Sequence, residues 1–451
     1  MSARIVIAGT SSGAGKTSVA CGLIGALRAR GHVVQGAKVG PDYIDPSYHA
    51  LASGRPGRNL DAFMAGPDLV APLLLHGSAG ADITVIEGVM GMFDGASGRG
   101  ELASTAHVAK LTASPVVLVV DATAMSRSAA AVVLGFRDFD PDVRIAGVIL
   151  NRVGSEHHEA LLRDAIEPLG VPVVGAVRRS ERFETPERHL GLVPAPEREA
   201  EARRALDALA AAVAEQVELD TLVRLARTAP PLPVDAWAPP EPEDGPRVRI
   251  AVAAGPAFSF HYRENLEALE ALGGELVPFD PGTDTVLPER ADALLLAGGF
   301  PEVYAEQLTG NAPLRRAVAD AVRGGLPTVA ECGGLLYLCE ELDGHPMCGV
   351  VPGRARMAGR LSLGYREAIA QSPSPLAAPG DVLRGHEFHY STVDPSCGAD
   401  AAWTLRARGR ERREGFTTPT LSASYLHLHW AAFPDAPRRF VAAARRAAAW
   451  V

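Results

Sequence analysis

The sequence predicts an α/β protein in two parts, and three observations predict it. Short β-branched runs alternate with helical patterns along most of the chain. A segment rich in proline and acidic residues, TAPPLPVDAWAPPEPEDGPR at 228–247, interrupts that rhythm once. The alternation then restarts with different motifs, so the two halves are not repeats of each other.

Before the interruption the strand-like runs cover 5–8, 33–39, 83–87, 116–121, 145–151 and 171–177. They are almost continuously apolar, as parallel strands buried on both faces must be. A stretch rich in Ala, Arg and Glu at 197–225 predicts one or two amphipathic helices closing this part. After the interruption the runs cover 248–253, 274–279, 293–297 and 327–330. The expected organisation is a domain over 1–227, a stiff extended connector over 228–247 and a second domain over 248–451, with mostly parallel sheets in both domains. A chain of 451 residues gives each domain a full core.

Composition excludes several classes. The chain is 47% hydrophobic and 22% charged, as ordinary globular proteins are. A formal net charge of −9 disfavours a general nucleic-acid or membrane-surface binder, although a local pocket can still be basic. No apolar run approaches the ~18 residues of a membrane span. The start, MSARIVIAGT, lacks a basic region, a long apolar core and a cleavage site, so no secretory signal is expected. Cys21, Cys332, Cys339, Cys348 and Cys397 fit no zinc spacing, and an odd count does not suggest a disulfide framework. A reducing cytoplasm is the expected setting.

The first chemical motif follows the first strand. RIVIAG runs into Gly9-Thr-Ser-Ser-Gly-Ala-Gly-Lys-Thr17 and then into a helical pattern that stops near Gly31. Gly13, Ala14 and Gly15 let backbone N–H groups approach phosphate oxygens. Lys16 adds positive charge, and Thr17 with Ser18 opens the helix, with the Thr17 hydroxyl suited to Mg²⁺. The first glycine lies one residue earlier than the common phosphate-loop pattern, a spacing similar to that of dethiobiotin synthetase-like ligases.

Acidic partners for this loop stand at other strand ends. Glu87 closes the run Ile-Thr-Val-Ile-Glu, where a carboxylate faces the ligand crevice and can hold Mg²⁺ beside Thr17. Asp42 and Asp45 lie in Lys38-Val-Gly-Pro-Asp-Tyr-Ile-Asp-Pro46, in the company of Lys38 and Tyr43. Asp is also a common turn former, so a purely local role competes with a catalytic or metal-binding one. Asn151, at a strand end, either reads the nucleotide base or serves structure.

The second motif is Thr328-Val-Ala-Glu-Cys332-Gly-Gly-Leu-Leu-Tyr, a strand, a nucleophile elbow and a helix. The helix N-terminus is expected to favour the Cys332 thiolate, and Gly333 and Gly334 to expose oxyanion N–H groups. The Gly298–Gly299 pair after another strand can supply a second such donor. A thiolate nucleophile wants an imidazole. His427 and His429 in SYLHLHW would share a side if that segment is a strand, and His386 and His389 stand in GHEFHYS; spacing alone does not choose among the four. No cysteine or acid cluster accompanies them in sequence, which argues against a metal site.

Together GTSSGAGKTS, KVGPDYIDP, VIEGVMGMFDG, AGGFPE, AECGGLLYL, GHEFHYS and SYLHLHW make the chain resemble, over essentially its full length, the cobyrinate (hydrogenobyrinate) a,c-diamide synthase family of cobalamin biosynthesis. The resemblance implies an N-terminal dethiobiotin synthetase-like domain and a C-terminal class I glutamine amidotransferase domain. It implies Cys332 as glutaminase nucleophile and His427, two residues after Tyr425, as base in preference to His429. Typical class I members carry Glu where this chain has His429, so a Cys–His dyad is the expected form. Asp42, Asp45 and Glu87 are implied in ordering Mg-ATP and the carboxylate substrate. The implied reaction makes an acyl phosphate from ATP and a corrinoid carboxylate, twice, and feeds each with ammonia from glutamine along a sheltered path. The implied partners are thus small molecules, with a homodimer left open. Cobyric acid synthase and a nickel-tetrapyrrole diamide synthase are the neighbouring alternatives. A partition-type ATPase is disfavoured by Cys332 and His427. Arg55, Arg58 and Arg99 are candidates for holding substrate carboxylates.

Overall fold

The computed structural model describes residues 3–179, 187–188, 191–192, 197–407 and 409–449. The chain divides into two compact units, Met1–Ala238 and Pro239–Val451.

The first unit is built on one sheet. Its strands are β1 (Ala3–Gly9), β2 (Val34–Val39), β3 (Arg58–Leu60), β4 (Ile83–Glu87), β5 (Val116–Asp121), β6 (Ile145–Val153) and β7 (Val173–Arg178), in the order β3-β2-β4-β1-β5-β6-β7. Every ladder is parallel. Ile5, Val6, Ile7 and Ala8 are all fully buried, which explains why these strands read as unbroken apolar runs. β1 lies between β4 and β5; the chain first runs outward from β1 to β2 and β3 on the β4 side, returns through β4, and then crosses to β5 on the other side. The carboxyl ends of these strands therefore open a crevice, and β1 delivers the Gly-rich loop into it.

Helix α1 (Lys16–Ala29) follows that loop. A later helix, Glu199–Gln216, lies so close to α1 that a Cβ on Gly22 would sit 2.5 Å from Val213 and one on Gly25 2.8 Å from Ala210. Small residues on α1 thus permit the close approach that buries it. The 197–225 stretch forms two helices, Glu199–Gln216 and Leu219–Arg227.

The second unit carries two sheets. The first holds β8 (Val248–Ala253), β9 (Gly274–Phe279), β10 (Ala293–Leu296) and β11 (Thr328–Glu331), all in parallel ladders, then a late strand, Leu421–Ser424, parallel to β11, and an antiparallel edge, Phe416–Thr418. Along β8, Ile250 and Val252 enter one apolar cluster while Ala251 and Ala253 enter another, so both faces of this sheet are covered. The second sheet is chiefly antiparallel. Its spine is the pairing of Arg354–Ala370 with Val382–Asp394, and its outer hairpin is Trp403–Ala407 with Arg410–Glu414. The expectation of mostly parallel sheets thus holds for the first of these sheets and fails for the second. Much of Arg354–Ala370 is polar and half-exposed, so it offers no apolar run to recognise.

The two sheets are joined at one place that matters for chemistry. Leu421–Ser424 belongs to the first sheet; after two intervening residues His427–Leu428 pairs with the second, His386 opposite His427.

Candidate functional site

The first unit's loop is a tight backbone device. Gly13 and Gly15 take φ of +76° and +93°. A Cβ on Gly15 would fall 2.0 Å from Asn151 Nδ2, so only glycine fits. Asn151 Nδ2 donates to the Ala14 carbonyl at 3.0 Å, and its Oδ1 accepts from Arg152 N at 2.9 Å. Asn151 therefore braces the loop. Arg152, with φ of +59°, donates to the Gly13 carbonyl at 3.0 Å and pairs with Asp121. Sequence reasoning missed this brace. Lys16 Nζ donates to the carbonyls of Met90 at 2.6 Å and Ser11 at 3.0 Å; burial, with Lys38 nearby, lowers its amine to about 8.

Glu87 and Asp45 converge on Thr17. Thr17 Oγ1 donates to Glu87 Oε1 at 2.6 Å and lies 3.4 Å from Asp45 Oδ2. Lys38 Nζ is 2.6 Å from Asp45 and 2.7 Å from Glu87. His49, which sequence reasoning also missed, sets Nε2 2.7 Å from Glu87 Oε2. Burial disfavours the Glu87 anion, yet Lys38 and His49 hold its carboxyl well below the usual range. Burial, with Asp42 and Glu87 near, pushes Asp45 up, and Lys38 opposes this. Asp42 has a local role: its Oδ1 accepts from Ile44 N at 2.7 Å and Asp45 N at 3.0 Å, fixing the start of the helix Ile44–Ser53. Ser18 lies in the first turn of α1. Of the arginines, Arg55 is engaged with Gln35 and the Ala79 carbonyl, and Arg99 stacks over Phe63 at 5.4 Å. Among the described residues no three His, Cys, Asp or Glu side chains form a ready-made metal cage.

The second unit holds the thiol. Cys332 sits between β11 and a short helix, Gly333–Leu338, with φ 48° and ψ −101°. This is a strained conformation for a residue with a Cβ, and strain of this kind clusters at functional sites. A Cβ on Gly333 would meet Gly299 N at 3.0 Å, and one on Gly298 would meet His427 Cε1 at 2.5 Å. The Gly298–Gly299 loop therefore lies against both the elbow and His427, with Gly299 N beside the elbow as an oxyanion donor requires.

Burial opposes the expected favouring of the thiolate. The helix behind Cys332 has six residues, too few for a strong dipole, and Cys332 is 3% exposed. Burial, with Glu302, Glu331 and Glu387 around it, pushes the thiol up against the help of Gly333 N–H. The Sγ–H donates to the Phe388 carbonyl at 3.9 Å. In the GHEFHYS segment, Glu387 is clasped by Arg366 at 2.5 Å and by Arg412, and His389 stacks on Tyr425 at 3.6 Å. That segment is thus the frame under both Cys332 and His427.

The two C-terminal histidines diverge in their partners. His427 Nδ1 lies 3.6 Å from Glu331 Oε2, and His429 Nε2 lies 3.5 Å from Glu264 Oε2. The strand His427–Leu428 is followed by His429 in extended backbone, with φ −100° and ψ 105°. Acids do accompany the histidines, brought from distant sequence by the fold.

A phosphate-loop unit on a parallel sheet, joined to a unit with a strained cysteine elbow and a neighbouring imidazole, is a nucleotide-using, glutamine-dependent amidotransferase. Comparison with known proteins agrees. Residues 5–193 match the CobQ/CobB/MinD/ParA nucleotide binding domain, and residues 249–434 match the CobB/CobQ-like glutamine amidotransferase domain. The hydrogenobyrinate a,c-diamide synthase of Streptomyces coelicolor is 55% identical over 97% of this chain and 96% of its own length. That of Thermobifida fusca is 52% identical over 98% and 96%, and the cobyrinate a,c-diamide synthase of Syntrophotalea carbinolica 46% over 97% and 98%. The chain belongs to the cobyrinate/hydrogenobyrinate a,c-diamide synthase family.

Proposed function

We propose that the chain amidates the a and c side-chain carboxylates of hydrogenobyrinic acid, with ATP as energy source and glutamine as nitrogen donor, in cobalamin biosynthesis. The carrying observation is near-full-length similarity, at 49–55% identity, to relatives named for hydrogenobyrinate, against 41–46% for relatives named for cobyrinate.

In the glutaminase half, Cys332 Sγ bonds to the glutamine amide carbon. His427 takes the thiol proton and returns it to the leaving nitrogen as the C–N bond breaks. Gly299 N and the elbow N–H groups stabilise the oxyanion, and water then releases glutamate. Burial of the thiol supports a site that is quiet until glutamine arrives.

In the synthetase half, the loop N–H groups and Lys16 hold the phosphates of ATP. A substrate carboxylate oxygen attacks the γ-phosphorus, ADP leaves, and ammonia displaces phosphate from the acyl phosphate. The all-oxygen set of Thr17, Glu87 and Asp45 fits Mg²⁺, with Asp42 alongside, and without a full protein cage the ion would complete its shell with phosphate oxygens and water. Bound there, Mg²⁺ would neutralise phosphate charge. Asn151 and Arg152 keep the loop in its phosphate-binding shape.

The test is incubation of the full chain with Mg-ATP, glutamine and either hydrogenobyrinic or cobyrinic acid, followed by mass spectrometry of the corrinoid. Two carboxyl-to-amide conversions are expected. In Cys332→Ala they persist with ammonia and fail with glutamine. A preference for cobyrinic acid would reverse the substrate assignment; no conversion of either would end it.

A further inference from the structure

We propose that Glu331, the residue before the nucleophile, orients the His427 imidazole, supplying from β11 the carboxylate that the position of His429 does not supply. The proposal rests on the reading of Cys332 and His427 as glutaminase nucleophile and base.

Geometry carries it. Glu331 Oε2 lies 3.6 Å from His427 Nδ1, and both side chains are buried. A carboxylate at Nδ1 keeps the proton of a neutral imidazole on that nitrogen and leaves Nε2 to exchange a proton with the thiol. Neighbouring residues of an extended strand point to opposite faces. The φ of +48° at Cys332 breaks that alternation, so that consecutive side chains can serve one imidazole. His427 is restricted from another side as well, because its Cε1 packs against Gly298.

The rival carboxylate is committed elsewhere. Glu264 lies 3.5 Å from His429 Nε2. Its neighbour Asn265 clamps the segment, donating to the Leu428 carbonyl at 2.8 Å and accepting from Trp430 N at 2.7 Å. The Glu264–Asn265 pair therefore fixes the backbone through His429, whereas Glu331 addresses His427. The Leu428 N–H and His427 support the Glu331 carboxylate, while its Oε1 is buried with no hydrogen-bond partner among the described residues. A carboxylate kept in that state at a cost to stability is what a functional role explains.

The direction of the effect separates this role from a simpler one. Glu331 beside Cys332 raises the thiol's resistance to ionisation. If it acted on the thiol alone, its removal would speed glutamine hydrolysis. Acting through His427, its removal slows hydrolysis. Burial pushes the Glu331 carboxyl up, and His427 and the Leu428 N–H oppose this. In the reaction no proton moves to Glu331: the proton passes from Sγ to Nε2 as S–C forms, then to the amide nitrogen as C–N breaks.

The experiment measures glutamate release, glutamine KM and ammonia-dependent amidation in Glu331→Gln, Glu331→Asp and Glu264→Gln. Glu331→Gln is expected to lower glutaminase kcat about 100-fold with KM within about threefold and the ammonia-dependent rate unchanged. Glu331→Asp, whose carboxylate stops one methylene short, is expected to lose about tenfold. In a His427→Ala background, Glu331→Gln should cost nothing further, which a purely structural role would not produce. A folded Glu331 variant within twofold of wild type, a faster one, or a larger loss in Glu264→Gln overturns the proposal. Should Glu331→Gln fail to fold, the Asp variant decides on the same criterion. A wild-type chain that amidates with ammonia but releases no glutamate overturns the glutaminase reading itself.

Discussion

Two single residues show how local chemistry reaches function. The Cys332 thiol is buried among carboxylates, so it is expected to react with iodoacetamide at least ~10-fold slower than a free cysteine at pH 7.5, read by peptide mass spectrometry. Alkylation at the rate of free cysteine would contradict the buried, protonated state. Gly15→Ala would drive a methyl group into Asn151 and force a Cβ onto φ of +93°, so ATP-dependent amidation should fall at least ~100-fold while glutamine hydrolysis stays near wild type. Both residues were legible in the sequence because their chemistry is carried by immediate neighbours. Glu331 was visible but mute: its meaning depends on His427, almost a hundred positions away, being folded onto it. His49 lay beyond reading for the same reason, since nothing in IDPSYHALAS signals a partner at Glu87.

At the scale of elements, legibility followed burial. Strands covered on both faces, such as β4 and β8, announce themselves as apolar runs, and their bounds were read correctly. The long pairing of Arg354–Ala370 with Val382–Asp394 has no such run and was missed, although it carries the frame beneath Cys332. That frame has a pH signature. Burial, with His427 and Arg366 near, lowers His386 to about 3, below its ordinary 6.5. The unfolded chain therefore binds a proton that the folded chain refuses. Its contribution to stability is full above pH 6.5 and declines as pH falls toward 3, by about 1.4 kcal/mol per pH unit in that window. Urea unfolding followed by tryptophan fluorescence, which the buried Trp403 and Trp430 report, should show the decline, and His386→Phe should flatten it. A profile equally steep in the variant would assign the acid sensitivity elsewhere. The helix Asp435–Ala448 closes the same unit by packing Phe440 near Trp430, at 6.5 Å between rings; Phe440→Ala is expected to cost about 3–5 kcal/mol in the same assay.

For the whole molecule, the Pro-rich segment marks the division into units, and its residues are tied down within each. Trp237 N donates to the Pro72 carbonyl at 2.9 Å and its ring meets His76 edge-on, while Glu243 pairs with Arg438 at 2.6 Å and with Arg445 at 3.4 Å. Charge also acts at this scale. The chain is net −9 and the proposed substrate is a polycarboxylate, so no global field draws them together. Raising ionic strength from about 0.01 to 0.15 M, which shortens the screening length from ~30 to ~8 Å, should leave kcat/KM for the corrinoid unchanged within twofold or raise it. A severalfold fall would mean that a local basic field dominates encounter.

The distribution of the five thiols has a further consequence for ageing. Cys21, Cys332, Cys339 and Cys348 are buried, and Cys397 is the one partly open to solvent. Peroxide attacks exposed thiols first, and the thiolate in preference to the thiol. Oxidative damage in stored protein should therefore begin as sulfenic acid at Cys397, leaving the nucleophile intact and the preparation active well after its first chemical scar.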